Sequence, residues 1–243
     1  MNFNLDGMGM QHQTGGAGQQ KMYGVLLAVV TNNQDPEKLG RVKLKYPIRE
    51  IEQESDWARV ITFMGGKDRG GLFTPEVGDE VLVAFHMGDF NQPYVIGSLW
   101  NDTDKAPAPA EKNDIRKIRS RSGHELIFGD KSGDERLTVQ TKKGHVLEMT
   151  DKDGKVKLSD STGNHSLLIE GSGSGKVTLA SSGTKIEITA QGDVSITSNK
   201  QITLKSTQLK LEASATMSLK ASASLDLKSD GIINIKGSMV KIN

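Results

Sequence analysis

The 243-residue chain contains no cysteine, which excludes disulfides and thiolate metal sites and leaves the redox compartment open. It has no proline after Pro109 and no aromatic side chain after Phe128. Its second half therefore has no large rings to fill a conventional core, and no proline to interrupt a hydrogen-bond ladder. The net charge is +1, which provides no strong global attraction to nucleic acid or to an acidic membrane. No stretch approaches the roughly 18 consecutive apolar residues of a membrane helix. The opening MNFNLDGMGMQHQTGGAGQQK lacks a basic region followed by an apolar run, so it does not read as a Sec signal. The expectation is a soluble protein that would leave the cell, if at all, by another route.

What is present divides the chain in two. Residues 1–21 are rich in Gly, Gln and Met and read as a flexible arm. Residues 22–100 carry strand signals: YGVLLAVV, GRVKLKY, DWARVITF, DEVLVAF and PYVIGSLW, separated by Gly, Pro and Asp turns. In GRVKLKY, Val42, Leu44 and Tyr46 alternate with Arg41, Lys43 and Lys45, which puts a basic stripe opposite an apolar one. Five short strands without an amphipathic helix predict a small Greek-key barrel of the OB type, with Trp57 and Trp100 in or beside its core. NDTDKAPAPAEKND (101–114) is a polar, Pro-rich linker, and the neck extends to 122.

From 123 to 243 the chain repeats itself. GHELIF, GHVLEM and NHSLLI open three similar units, each with two strand pairs. The first members of successive apolar pairs stand at 126, 137, 147, 156, 167, 177, 186, 194, 202, 209, 217, 225, 233 and 240, with steps that shorten from 9–11 to 7–8. Such self-similarity marks a solenoid. In a pair such as Leu225-Asp226-Leu227 two side chains point inward and one outward. Eight residues provide one short strand and one bend, about one side of a triangular prism. A one-chain β-helix needs about 18 or more residues per coil. Three chains winding together would supply all three sides and leave no lateral edge.

The expected architecture is thus all-β: an OB-fold barrel followed by an intertwined triple-stranded β-helix, as a homotrimer. At roughly 4.8 Å per layer, fourteen layers would span about 65 Å. Its needle core would be Leu209, Leu211, Met217, Leu219, Leu225, Leu227, Ile233 and Ile235. Met239, Val240 and Ile242 would end it in apolar side chains and open strand edges, which are ordinarily covered. An antiparallel β meander is the alternative for the same period-two pairs.

GRVKLKYP, ESDWARVITFMGG, GGLFTPEVGDEVLVAFHMGDFNQPYVIGSLWN and RSRSGHELIFGD, in that order, resemble the spike family of contractile injection machines: the gpV-like baseplate spikes of phage tails and the VgrG proteins of type VI secretion. The resemblance covers residues 22 to about 150, and the octads suit the rest. It implies a spike below a hub and tube that punctures a target envelope when a sheath contracts, assembled from the cytoplasm into a baseplate with other baseplate proteins. VgrG proteins carry a large hub domain before the barrel. Here only about 21 residues precede it, so a separate hub protein is implied, with Arg41, Lys43 and Lys45 as its possible contact. A PAAR-type tip protein is implied on Met239, Val240 and Ile242. Some phage spikes insert a lysozyme domain where this chain has its linker, so no muramidase is expected. Phage tail, type VI and extracellular particle are equally compatible with the motifs.

Other chemistry is weakly supported. His124, His145 and His165 follow Gly or Asn at unit starts and read as solvent-facing corners, not metal ligands. The chain does not end in a His-x-His motif. DKDG (151–154) has Thr162 where an EF-hand needs Glu, so it reads as a hairpin turn. GSGSGK (171–176) lacks P-loop spacing. The sequons at 101–103 and 164–166 have no secretory signal to make them relevant. No catalytic constellation, cofactor motif or metal set is expected. A trimeric fibre or adhesin, and an OB-type nucleic-acid binder using the basic stripe, are the alternative readings.

Overall fold

The computed structural model describes residues 21–48, 54–107, 112–173 and 175–242; the arm expected before Lys21 lies outside them. Among the described residues it is all-β, with one short 3-10 turn at His86–Gly88. No helix of the described residues is long and apolar enough to cross a membrane.

The first unit is a five-stranded sheet rolled into a barrel. Its strands are β1 (Val25–Asn32), β2 (Lys43–Lys45), β3 (Arg59–Val60), β6 (Glu80–Phe85) and β7 (Pro93–Ser98), in the order β2-β1-β6-β7-β3. β3 runs parallel to β7, and an isolated bridge between Val42 and Ala58 joins the two ends of the sheet. Alternation places Val42, Leu44 and Tyr46 inside with Ala28, Val30, Ala58, Val81, Val83 and Val95, each at most 4% exposed. Phe85 and Phe90 stack at 5.1 Å against this core and extend it towards Tyr46. A small two-stranded ribbon, β4 (Gly65–Gly66) with β5 (Arg69–Gly70), projects between β3 and β6.

The second unit is a single nine-stranded antiparallel meander. It comprises β8 (Ile115–Arg119), β9 (Glu125–Gly129), β10 (Arg136–Gln140), β11 (Val146–Thr150), β12 (Lys155–Ser159), β13 (His165–Glu170), β14 (Lys176–Ser181), β15 (Thr184–Thr189) and β16 (Val194–Ser198). Its first strand lies in the segment read from sequence as neck. Through Ser198 the strands pair with their own chain, not with neighbouring chains as the octad argument had it. The reason is turn chemistry. Steps of 8–11 residues hold a five- or six-residue strand and a reversal. Every reversal from Gly123 to Gly192 carries a glycine at positive φ, a conformation costly for residues with a Cβ. After Gly192 the only glycines are Gly231 and Gly237, and neither has positive φ. There the chain stops reversing, and residues 199–242 form no strand with the rest of the molecule. Asp151–Gly154 is the hairpin turn expected of DKDG, closed by Gly154 N–H donating to the Asp151 carbonyl at 3.1 Å.

The loop between β1 and β2 is fixed by an ion pair. Asp35 accepts from Arg41 Nε and Nη2 at 2.9 and 2.8 Å, and from the Leu39 and Glu37 backbone N–H at 2.9 and 3.1 Å. The Asp35 side chain is only 3% exposed. The Arg41 guanidinium holds its carboxyl well below the usual carboxylate range. A depressed carboxyl contributes stability that is complete above its unfolded value, about pH 4, and is lost as pH falls towards the folded one. Asp35→Asn should therefore lower the barrel's melting temperature by several degrees at neutral pH, and the gap should shrink below about pH 4. Circular-dichroism melts across that range check it; a gap constant down to strong acid would exclude the ion pair as its source.

Candidate functional site

Alternation along each strand of the meander sorts its side chains onto two unlike faces. One face holds two nine-residue rows. The first runs Ile118, Leu126, Val139, Leu147, Leu158, Leu167, Leu179, Ile186, Ile196, each opposite the next across a strand pair. The second runs Arg116, Phe128, Leu137, Met149, Val156, Ile169, Val177, Ile188, Val194. Except for Arg116, which pairs with Asp130 at the top edge, every member is apolar. These are the apolar pairs of the sequence repeat, and the register puts all of them from 126 to 196 on one face.

The opposite face is mainly polar, though Ile115, Ile127, Val146 and Leu168 also stand on it. Lys155 and Lys176 both reach Glu170 (3.9 and 3.6 Å), and Lys176 and Lys185 both reach Glu187 (3.5 and 2.7 Å), an ion-pair ladder across four strands. Exposed pairs of this kind contribute little stability each but keep a surface wet. Among the described residues nothing covers the apolar face. Leu158, Leu179 and Ile196 are 52–54% exposed, against 0–1% for Val30, Val81 and Val95 in the barrel. The rows stack over about 40 Å at the usual strand spacing. Soluble monomers seldom leave so large a contiguous apolar patch open.

The octads beyond residue 199 have the same character without the pairing. The eight expected needle-core residues are 50–70% exposed, and Met239, Val240 and Ile242 are 74%, 53% and 91% exposed. The single chain does not bring these residues together.

The basic stripe is partly spent inside the barrel. Arg41 is engaged by Asp35, Lys43 reaches Glu54 at 3.2 Å, and both cations lie over the Trp57 ring at 5.9 and 5.6 Å. Lys45 is exposed. Trp57 is half-buried beneath these cations, beside the core as expected. Trp100 is 70% exposed, contrary to expectation, because it lies past the end of β7 where the barrel no longer has an interior.

His124, His145 and His165 are exposed on the same edge of the meander. Each closes a reversal through its backbone carbonyl, which accepts from Ser120, Thr141 and Asp160 N–H respectively. His124 and His165 are further tied by their Nδ1 atoms, to Lys142 N–H at 3.3 Å and Ser181 Oγ at 2.8 Å. No cluster of three potential metal ligands occurs among the described residues.

Two features escaped the sequence reading. One is the glycine spacing that separates reversing from non-reversing repeats. The other is the β4–β5 ribbon, whose flanks expose Phe63, Leu72 and Phe73; its signal is the symmetric MGGKDRGGLF, paired glycines around a charged tip.

Comparison with known proteins places the barrel. Residues 26–100 match the type VI secretion system/phage-baseplate injector OB domain. The chain is 33% identical over 114 residues to the type VI secretion system spike protein VgrG5 of Pseudomonas aeruginosa, covering 42% of this chain and 14% of that protein. It is 30% identical over 130 residues to the spike protein VgrG3 of Vibrio cholerae (48% of this chain, 13% of that one). It is also 29% identical over 128 residues to the actin cross-linking toxin VgrG1 of Vibrio cholerae (47% and 12%). The match thus spans about one-seventh of these relatives. Over its OB domain the chain is similar to VgrG/gpV-like baseplate spikes, and the octads lie beyond the family match.

If the apolar face is buried by copies of the chain, Leu158→Lys should abolish the multimer in native mass measurements. Lys157→Asp, one residue away on the polar face, should leave it intact. Equal native masses for the two variants would show that the face is not an interface.

Proposed function

We propose that this chain is the central spike of a contractile injection machine of the phage-tail type, which punctures a target envelope when a sheath contracts. The carrying observation is a combination: an injector-type OB domain joined to an apolar sheet face and an octad tail, neither of which the single chain can cover. Three copies supply the cover. Three meanders closing apolar face inward would make a triangular prism, with the ion-pair ladders outside. Below it, three tails, each lacking turn glycines, would wind around one another and pair strand to strand, burying Leu209, Leu211, Met217, Leu219, Leu225, Leu227, Ile233 and Ile235.

The chemistry suits a mechanical part. Strand-to-strand hydrogen bonds run along the long axis of a meander, so an axial load is shared by every layer. Interlocked tails cannot unravel one chain at a time. Aliphatic residues keep the shaft slim, and Lys, Ser and Thr keep its surface wet. In such a particle the barrels would meet a separate hub protein above, with Lys45 the most available of the three stripe residues. The apolar end at Met239, Val240 and Ile242 would carry a conical tip protein of the PAAR type. The chain would then function in a baseplate among other baseplate proteins.

Leu219→Asp would place three carboxylates near the shaft axis, and an unpaired buried charge costs several kcal/mol. The unsubstituted protein should run as an SDS-resistant species of three times 26.3 kDa, and the variant should not. An unboiled gel with light scattering measures both; a normal SDS-resistant trimer from Leu219→Asp would sink the wound tail. Deleting residues 233–243 should abolish co-purification with a tip protein while leaving the trimer. Unchanged capture would remove that partner from this end.

A further inference from the structure

The apolar face of the meander is framed by two edges of unlike charge. Two residues along from its first apolar row, the register runs His165, Ser181, Thr184 and Ser198 on β13–β16. Backbone bonds from Ser120 to His124, Thr141 to His145 and Asp160 to His165 continue this edge up to β8. Its turns carry Arg121, Lys142 and Lys143, with no carboxylate above Asp160. Arg121 reaches Glu76 of the barrel at 3.1 Å, and all three histidines are exposed.

The other edge is acidic. Two residues beyond the second apolar row, Asp130 N–H donates to the Asp114 carbonyl at 2.8 Å and Asp151 N–H to the Glu135 carbonyl at 3.1 Å, so four carboxylates stand beside β8–β11. The turns here add Asp134 and Asp153, against Lys131 and Lys152. Asp130 is held by Arg116, Asp134 by Arg136 at 3.7 Å and Asp153 by Lys155 at 3.9 Å; Asp114 and Asp151 make no ion pair among the described residues. Lower on this edge the register residues have no side chain beyond a methyl. Gly171 N–H donates to the Gly154 carbonyl at 2.8 Å and Ala190 N–H to the Gly175 carbonyl at 3.1 Å, and a Cβ on Gly175 would lie 3.4 Å from that of Ala190.

We propose that in the trimer the basic edge of each meander packs against the acidic edge of the next copy, strand level by strand level, so that three charge-matched seams form the corners of the prism. The inference rests on the trimeric reading above. The occupant follows from the apolar face and the charges together. Copies that close this face inward around a threefold axis must bring unlike edges together, because such a contact is heterologous. Rotation about the shaft axis keeps every strand at its own height, which sets His124 and His145, with Lys142 and Lys143, beside the four carboxylates. Reversals alternate between the edges, so the β10–β11 turn of one copy enters between the β9–β10 and β11–β12 turns of its neighbour. Opposite charges so placed fix register and direction more than they add affinity, and an antiparallel copy would bring like edges together. Lower down, His165, Ser181 and Thr184 meet Gly171, Gly175 and Ala190, where the small residues allow close approach. The seams therefore tighten towards the tail.

The absence of native cysteine makes the test direct. Differently tagged chains are co-expressed in pairs, treated with a short bismaleimide, and resolved on a reducing gel beside a native mass measurement. One pair is His145→Cys with Asp151→Cys, both at β11; another is Thr184→Cys with Ala190→Cys, both at β15. The crossed pair, His145→Cys with Ala190→Cys, lies four strands apart, about 19 Å. The expected result is a trimeric native mass and a mixed-tag covalent dimer at least tenfold more abundant in both level pairs than in the crossed pair. A trimer with no such excess overturns the seams and leaves the trimeric spike standing. A monomeric or dimeric mass overturns both. The charge match has its own reading: Lys142→Glu with Lys143→Glu should lower the trimer's melting temperature, and Asp134→Lys with Asp153→Lys added to the same chain should restore it. No restoration overturns the charge match.

Discussion

A sheet with one apolar face needs a second layer, and the described residues supply none for the meander. The rest of the molecule's organisation depends on that constraint. The barrel meets the same requirement internally, by curling until Val42 reaches Ala58, so that one sheet serves as both layers. The meander is a single sheet of nine strands whose two rows of Leu, Ile, Val, Met and Phe are left partly open to solvent. Moving a half-exposed aliphatic side chain into a closed interior contributes about 1 kcal/mol. Two full rows exceed the cost of association, about 4–15 kcal/mol, so self-assembly is the proportionate solution. The scarcity of aromatics fits the proposed shaft: Phe128 is the one ring in the two rows, and every row member after it is aliphatic or Met.

Much of this was legible in sequence because period two is a strong signal. The alternation of Val42, Leu44 and Tyr46 with Arg41, Lys43 and Lys45 specified the inner wall of the barrel, and the paired apolar positions from Leu126 to Ile196 specified one face of the meander. Less legible was which strands pair with which chain. Hydrophobic periodicity reports the face of a residue, not the origin of its neighbour, so eight- and ten-residue repeats looked like one device. The discriminating signal was a glycine at every reversal, in the left-handed conformation that a reversal demands, present through Gly192 and absent afterwards. Trp100 was misplaced for a related reason: a strand pattern does not say where the barrel ends beneath it.

The basic stripe shows how a surface motif can be structural. Lys43 opens β2 and Arg41 stands two residues before it, on the same solvent side, as alternation requires. A buried Asp35 carboxylate takes the guanidinium bidentately, and Trp57 lies beneath both cations. Such a pair gains from geometry and from satisfying every polar group at once. A side chain held in this way is poorly available to a nucleic-acid backbone or to a protein partner. The stripe therefore argues more for a fixed β1–β2 loop than for a binding surface, and its exposed remainder is Lys45.

The change at residue 199 has a mechanical consequence. Above it each layer of the meander is closed by hydrogen bonds within one chain, so this part can form before assembly. Below it the described backbone belongs to no strand and makes a few local bonds to the Ser198, Ser206 and Ser229 side chains, so a strand ladder there needs strands from outside the chain. On the trimeric reading, the stiff distal part exists only in the assembled particle. Its formation is third-order in chain but is brought into register by the meanders above it. Three apolar faces that have already met hold three tails at high effective concentration and in a common direction. The octad, without a turn glycine at positive φ to reverse on and too regular to misregister by one residue without turning its apolar pairs outward, then has one favourable way to continue.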